Sequence, residues 1–198
     1  MADANKRAAV IAWIENPDTF GRCRVGRGGL GVNYFLDTEF NGFGGVLLSL
    51  ALVREDGASL YLIYDPPERV DRWVQRHVVP KLLAVPGGIE PRRVDQAAGA
   101  RAIGAFLAGD SDPVVLADWP EDVSLFCGAL LLGPGCMVMI ERLGFEILRV
   151  EPYPTDVPGA VEHNAWWDAM ALRRRLTRRE AKEGDPPMRG PDLGAPAP

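Results

Sequence analysis

Between residues 33 and 64 three apolar, β-prone stretches follow one another with only short turns between them. This pattern constrains the fold more than anything else in the 198-residue chain. Tyr34-Phe35-Leu36 opens a strand that runs to about Phe40. Asn41-Gly42-Phe43-Gly44-Gly45 turns the chain into a second strand over residues 46–53, and Glu55-Asp56-Gly57 turns it into a third, Ser59–Tyr64. Strands joined this tightly form an antiparallel meander.

The rest of the chain alternates helix and strand. Pro66-Pro67-Glu68 suits a helix start, and Val70, Trp73, Val74 and Val78 recur at helical spacing as its apolar stripe. A second helix is expected over 94–107. Residues 114–117 are short and wholly apolar, as a buried parallel strand should be. Pro120 opens a helix to about 132, strands follow at 137–140 and 145–150, and a long helix covers 164–182. The reading is an α/β domain over residues 33–182, with a mixed sheet: the antiparallel meander, then parallel strands, flanked by helices.

Upstream, residues 1–32 read as a helix (4–15) and a Gly/Arg-rich connector. Within it, Gly26-Arg27-Gly28-Gly29-Leu30-Gly31 spells the dinucleotide-binding fingerprint. That fingerprint needs a helix after it, and a strand comes next, so the connector reading stands. The Pro/Gly-rich stretch 183–198 reads as a disordered tail.

Bulk properties exclude several classes. No apolar run approaches the ~18 residues of a membrane span. Glu15-Asn16-Pro17 closes the apolar stretch 8–14 without a cleavage site, which argues against a secretory signal. The three cysteines, Cys23, Cys127 and Cys136, are too scattered for a zinc knuckle or a disulfide framework, and their odd number suits a reducing, cytoplasmic setting. With only two histidines, His77 and His163, any metal must lean on carboxylates, which favours Mg²⁺ or Mn²⁺. A net charge of −5 argues against a broad basic nucleic-acid groove. It still allows an enzyme that grips a few terminal nucleotides through bound cations.

Three acidic motifs carry the chemistry. Asp37-Thr38-Glu39 ends an apolar strand, so both carboxylates share one face. Like charges at the end of a buried sheet are costly unless a cation or proton neutralises them; the alternative is a solvated strand end. Asp118-Trp119-Pro120-Glu121-Asp122 runs from strand to helix, where α/β proteins place their sites. Its plain reading is capping, with Asp118 or Trp119 as the cap. His163-Asn164-Ala165-Trp166-Trp167-Asp168 begins the last helix. Five helical residues separate faces, so His163 and Asp168 meet only if His163 lies in an extended segment before the helix. A lone histidine is otherwise more often structural, as His77 beside Val74 and Val78 is expected to be.

Together these motifs, Asp-x-Glu, then Asp, then His-x4-Asp, resemble the DEDDh 3′–5′ exonucleases, which include ribonuclease T, oligoribonuclease and polymerase proofreading subunits. Gly42 matches the D-x-E-x-x-G opening of that family. The stretches 34–40 and 73–82 are similar to small stand-alone exoribonuclease-like proteins of mycobacteria. The second motif departs from the family, with Asp118-Trp119-Pro120-Glu121 where a His-Asn pair usually precedes the aspartate, and residues 1–32 have no counterpart in the small relatives.

The resemblance implies a ribonuclease H-like fold and a 3′–5′ exonuclease acting on single-stranded 3′ ends, RNA in preference to DNA, and a homodimer. It implies two Mg²⁺ or Mn²⁺ ions on Asp37, Glu39, Asp122 and Asp168, with Asp37 bridging, and His163 as general base. Phe40, Asn41, Gly42, Phe43 and Trp119 would meet the terminal nucleotides. Core packing is an equal reading for Phe43, and the last helix's Arg173, Arg174, Arg175, Arg178 and Arg179 face phosphates, solvent or a partner. The rival readings are a ribonuclease H-like endonuclease and a non-catalytic member that binds nucleic acid or protein.

Overall fold

The strand β1, Asn33–Phe40, organises the domain because its alternate residues feed two different cores. Tyr34 and Leu36 pack with Ile103, Leu107 and Phe126 on one side of the sheet. Phe35 packs with Trp166, Ala169 and Leu172 on the other. Every central strand therefore buries both faces, and the result is a sheet between two helical layers. The computed structural model describes residues 31–148 and 157–183, the side chains of 178–183 excepted. The helix expected at 4–15, the connector with its fingerprint up to residue 30, the Pro-rich stretch 151–156 and the tail beyond residue 183 lie outside the described residues.

The meander forms as expected. β1 pairs antiparallel with β2 (Leu47–Arg54), and β2 with β3 (Ser59–Tyr64). A short helix α1 (Arg72–His77), a 3₁₀ turn (Val79–Lys81) and β4 (Arg92–Val94) follow. Then come α2 (Gln96–Leu107), β5 (Val114–Ala117), α3 (Pro120–Ala129), β6 (Leu131–Gly133), β7 (Cys136–Met137), β8 (Gly144–Ile147) and α4 (Ala165–Glu183). The six-stranded sheet has the order β4-β3-β2-β1-β5-β8, and β5 lies parallel to both β1 and β8. The mixed α/β sheet read from the sequence is thus the observed one. Among the described residues no helix is long and apolar enough to cross a membrane.

Four local expectations need correction. Helix α1 starts at Arg72, not at Pro66, because Asp71 is the cap: its carboxylate accepts the N–H groups of Trp73 and Val74 at 2.8 and 3.4 Å. Trp73 leaves the apolar stripe and is 51% exposed, while Val74 and Val78 pack on Leu48. Helix α3 stops at Ala129, since Leu131–Gly133 turns back to pair with Cys136–Met137; the strand expected over 137–140 shrinks to that hairpin. Strand β4 escaped notice because Arg92-Arg93-Val94 has no apolar alternation. It is an edge strand, held by parallel pairing to β3 alone.

Candidate active site

The carboxyl end of β1 is where the chemistry gathers. Asp37 and Glu39 project to the α4 side, as their two-residue spacing requires, while Thr38 between them faces α3. The β1–β2 register shifts between Glu39 and Phe40, an irregularity that strands often carry beside functional sites. Beyond it, Gly42 takes a positive φ of 74°, which only glycine adopts without strain, and the loop folds back. Asn41 ties this loop to the approach to α1: its amide donates to the Arg69 carbonyl at 3.0 Å and accepts the Asp71 N–H at 2.6 Å.

Helix α3 brings the second motif. Trp119 occupies the N-cap position with no side-chain cap bond, and Pro120 begins the helix. Asp122, in the first turn and 3% exposed, accepts the Thr38 hydroxyl at 2.5 Å. Glu121 points elsewhere and accepts the Gly44 N–H at 2.6 Å. The cap role weighed for Asp118 is overturned. Its carboxylate joins those of Asp37 and Asp122 in a group whose ligand atoms all lie within 4.8 Å of one another. A second such group consists of Asp37, Glu39 and Asp168. The sequence reading favoured Asp118 as a cap over Asp118 as a ligand, and the geometry adds it to the acids that could hold a metal. Its signal was present: it follows the last residue of β5 and stands four positions before Asp122.

The third motif enters on α4. Asn164 is fully buried and caps the helix, accepting the N–H groups of Trp166 and Trp167 at 3.1 and 3.3 Å. His163 lies before the helix, as convergence with Asp168 requires. It is not extended, however: its φ is +59°, and the left-handed turn aims it into the cleft. Asp37, Thr38, Glu39, Phe40, Asp118, Trp119, Asp122, His163 and Asp168 line that cleft of about 230 Å³. His77 stands apart, stacked on Trp73 with ring centroids 4.9 Å apart. Phe43 is 86% exposed, so the core reading fails for it; its ring lies 6.2 Å from that of Phe40.

Burial and mutual repulsion push these acids toward their protonated forms. Asp37 is held well above the usual carboxylate range by burial, then by Asp122, Asp168, Glu39 and Asp118. Glu39 is pushed up to about 8, by burial and then by Asp168 and Asp122, against the pull of Lys81. Asp122 rises to about 7 through burial, against the Thr38 bond, and Asp168 rises to about 7 through burial, against bonds from the Asn164 and His163 backbone. His163 moves the other way: burial, then Lys81, lower its pKa, with Glu162 opposing. One buried oxygen of Asp37, Oδ2, has no hydrogen-bond partner. An orphaned carboxylate oxygen among other carboxylates fits a hard divalent cation, which would satisfy it and reverse all four upward shifts. The acidic clusters can hold metal ions.

With that geometry in view, comparison with known proteins is informative. Two curated proteins named 3′-5′ exoribonuclease, from two strains of Mycobacterium tuberculosis, are 45% identical to this chain over 56 residues, 26% of this chain and 33% of each relative. The match spans about a third of the length of those relatives. Part of this chain is related to exoribonucleases. No protein-family model matches it.

Proposed function

We propose that the protein is a metal-dependent 3′–5′ exonuclease of the DEDDh type on a ribonuclease H-like fold, acting on single-stranded RNA. The observation that carries the reading is the gathering of five carboxylates into two groups that share Asp37. Asp37, Glu39 and Asp168 would hold one Mg²⁺ or Mn²⁺, and Asp37, Asp118 and Asp122 the second. When bound, the pair supplies the positive charge that stabilises the attacking and leaving oxygens of an in-line displacement.

The chain's own groups do the rest. His163, with its pKa lowered, is neutral near pH 7 and able to take a proton from the attacking water. Thr38 holds one Asp122 oxygen in place. Phe40, the exposed Phe43 and the half-exposed Trp119 offer stacking surfaces to terminal bases. Gly42 and Asn41 shape the loop that carries the two phenylalanines. The preference for RNA draws support from the names of the two relatives. The products are nucleoside 5′-monophosphates.

The test uses end-labelled RNA and DNA oligomers with metal-stripped protein, then with Mg²⁺ or Mn²⁺ restored. Stepwise shortening of RNA from the 3′ end is expected, only with metal, and blocked by a 3′-phosphate. Cleavage of a circular RNA would replace this reading with an endonuclease.

A further inference from the structure

We infer that Lys81 is a positioning residue for His163, clamping the chain on both sides of it; the inference rests on the exonuclease reading for its catalytic consequence. The Lys81 ammonium donates to the carbonyl of Glu162 at 3.0 Å. Its backbone carbonyl accepts the Asn164 side-chain amide at 2.7 Å. One residue thus grips the positions immediately before and after His163, although it lies about eighty positions away in the chain.

The residue between the two grips is the one with a strained backbone. Among the described residues His163 is the only non-glycine with positive φ. Such a conformation persists only where its surroundings over-determine it. Lys81 is well placed to do so, because its own backbone is fixed. It closes a 3₁₀ turn that contains Pro80, and its N–H donates to the Val78 carbonyl at 2.8 Å. Trp73, on the helix before that turn, sets its ring edge-on to His163 with centroids 5.0 Å apart, and its other neighbour is His77. The segment from α1 to Lys81 therefore forms a cradle for one imidazole. Asn164 transmits the grip to α4, since the same side chain that bonds Lys81 also caps that helix. The consequence is that His163 and Asp168 keep a fixed relation, which a free left-handed turn would not guarantee.

Lys81→Met tests this. It removes the ammonium but keeps the stem, the 3₁₀ turn and the backbone carbonyl that Asn164 uses. A lost clamp lets the imidazole wander by a fraction of an ångström or more, so kcat should fall roughly 10- to 100-fold with KM little changed. Lys81→Arg, which can still reach the Glu162 carbonyl, should restore most of the rate. In a His163→Ala background, Lys81→Met should cost little more, because both changes act through one group. Imidazole NMR gives a readout free of activity. The chain has two histidines, and His77→Gln assigns their signals. The His163 signal should carry a ring-current shift from Trp73 in the native and Lys81→Arg proteins and lose it in Lys81→Met.

A Lys81→Met protein with native kcat and an unmoved His163 signal overturns the clamp. So does a loss of rate that is equally large with and without His163. If His163→Ala itself keeps the native rate, the base assignment falls instead, while the NMR shift still decides whether Lys81 holds the ring.

Discussion

The two ends of the central sheet carry the same kinds of residue and treat them oppositely. At the amino end of β1, acids are paired with donors. Glu55 accepts the Asn33 N–H at 3.1 Å, and Asp110 accepts the N–H groups of Val32 and Asp112, each at 3.1 Å. Asp112 meets Arg142 at 3.0 Å, and Asp56 is bridged by Arg54, which pulls its pKa down to about 2. Arg173, expected to face phosphate, solvent or a partner, instead donates twice to the Glu55 carbonyl at 3.0 and 2.8 Å and pins α4 to the β2–β3 turn. At the carboxyl end, Asp37, Glu39, Asp122 and Asp168 are buried against one another and all shift upward. The difference teaches that the cleft acids are not merely acidic. They are placed where the fold supplies too few donors, and an external cation is the natural remedy.

The sharpest way to break this contrast is Asp37→Asn. The residue belongs to both carboxylate groups, and its Oδ2 has no partner. Hydrolysis should fall beyond about 10³-fold, the scale on which members of one catalytic unit are lost. Divalent-metal affinity measured by calorimetry should fall with it, and the metal-free protein should melt no lower than the native one. Near-native turnover under saturating Mg²⁺ would sink the shared-ligand reading.

Asp118→Asn comes next and sharpens the boundary of the site. As a helix cap, Asp118 would tolerate this change, because Asn caps nearly as well as Asp. As a member of the Asp37–Asp122 group it should not: turnover should fall, by less than for Asp37→Asn, because Asp118 belongs to one group only. Unchanged turnover with unchanged metal affinity would return Asp118 to a bystander's role.

What the sequence made legible follows from the range of the forces involved. The alternation of 33–64 and the short turns determine the meander, because register and turn length are local. Motif spacing and element type pointed to Asp37, Glu39 and Asp122, and the structure brings these three into the two carboxylate groups of the cleft. Asp118 was read first as a cap because capping and metal binding want the same residue at the same strand-to-helix junction, and the position of Trp119 at the cap removes the cap role. The left-handed turn at His163 could not be read at all. It depends on Lys81 and Asn164, partners joined across the fold. Strand β4 was invisible for the same reason, since its pairing with β3 is supplied from a distance.

A titration of stability sets the two ends against each other directly. Glu39 at about 8, with Asp122 and Asp168 at about 7, all lie above their unfolded values near ~4. A group raised on folding contributes stability that is complete below its unfolded pKa and is lost as pH rises through its folded pKa. The metal-free protein should therefore lose stability between about pH 4 and pH 8, by more than the ~1.4 kcal/mol that one pKa unit represents. Saturating Mg²⁺ should remove most of that slope, since the cation neutralises the same carboxylates. Denaturant melts across this range, with and without metal, provide the measurement. A flat metal-free profile would mean that the four acids do not repel one another as their burial demands.

The smallest effect is expected at the opposite end, from Asp56→Asn. Asp56 is exposed, bridged to Arg54 and bonded by the Ala58 N–H at 3.0 Å, so the change loosens the β2–β3 turn and nothing more. Exposed ion pairs contribute little, and the thermal midpoint at neutral pH should drop only slightly. The sign of its pH dependence is opposite to that of the cleft. The pKa of Asp56 is lowered on folding, so its contribution is present above the unfolded value near ~4 and fades as pH falls through about 2. Native and variant melting curves should therefore converge in acid, where the cleft acids are already protonated and contribute no repulsion. Turnover should be unchanged, because Asp56 lies at the far end of β1 from Asp37, although its neighbour Glu55 is the residue whose carbonyl Arg173 grips. A marked loss of turnover in Asp56→Asn, without a matching loss of stability, would show that the two ends are coupled through α4, the helix that carries both Arg173 and Asp168.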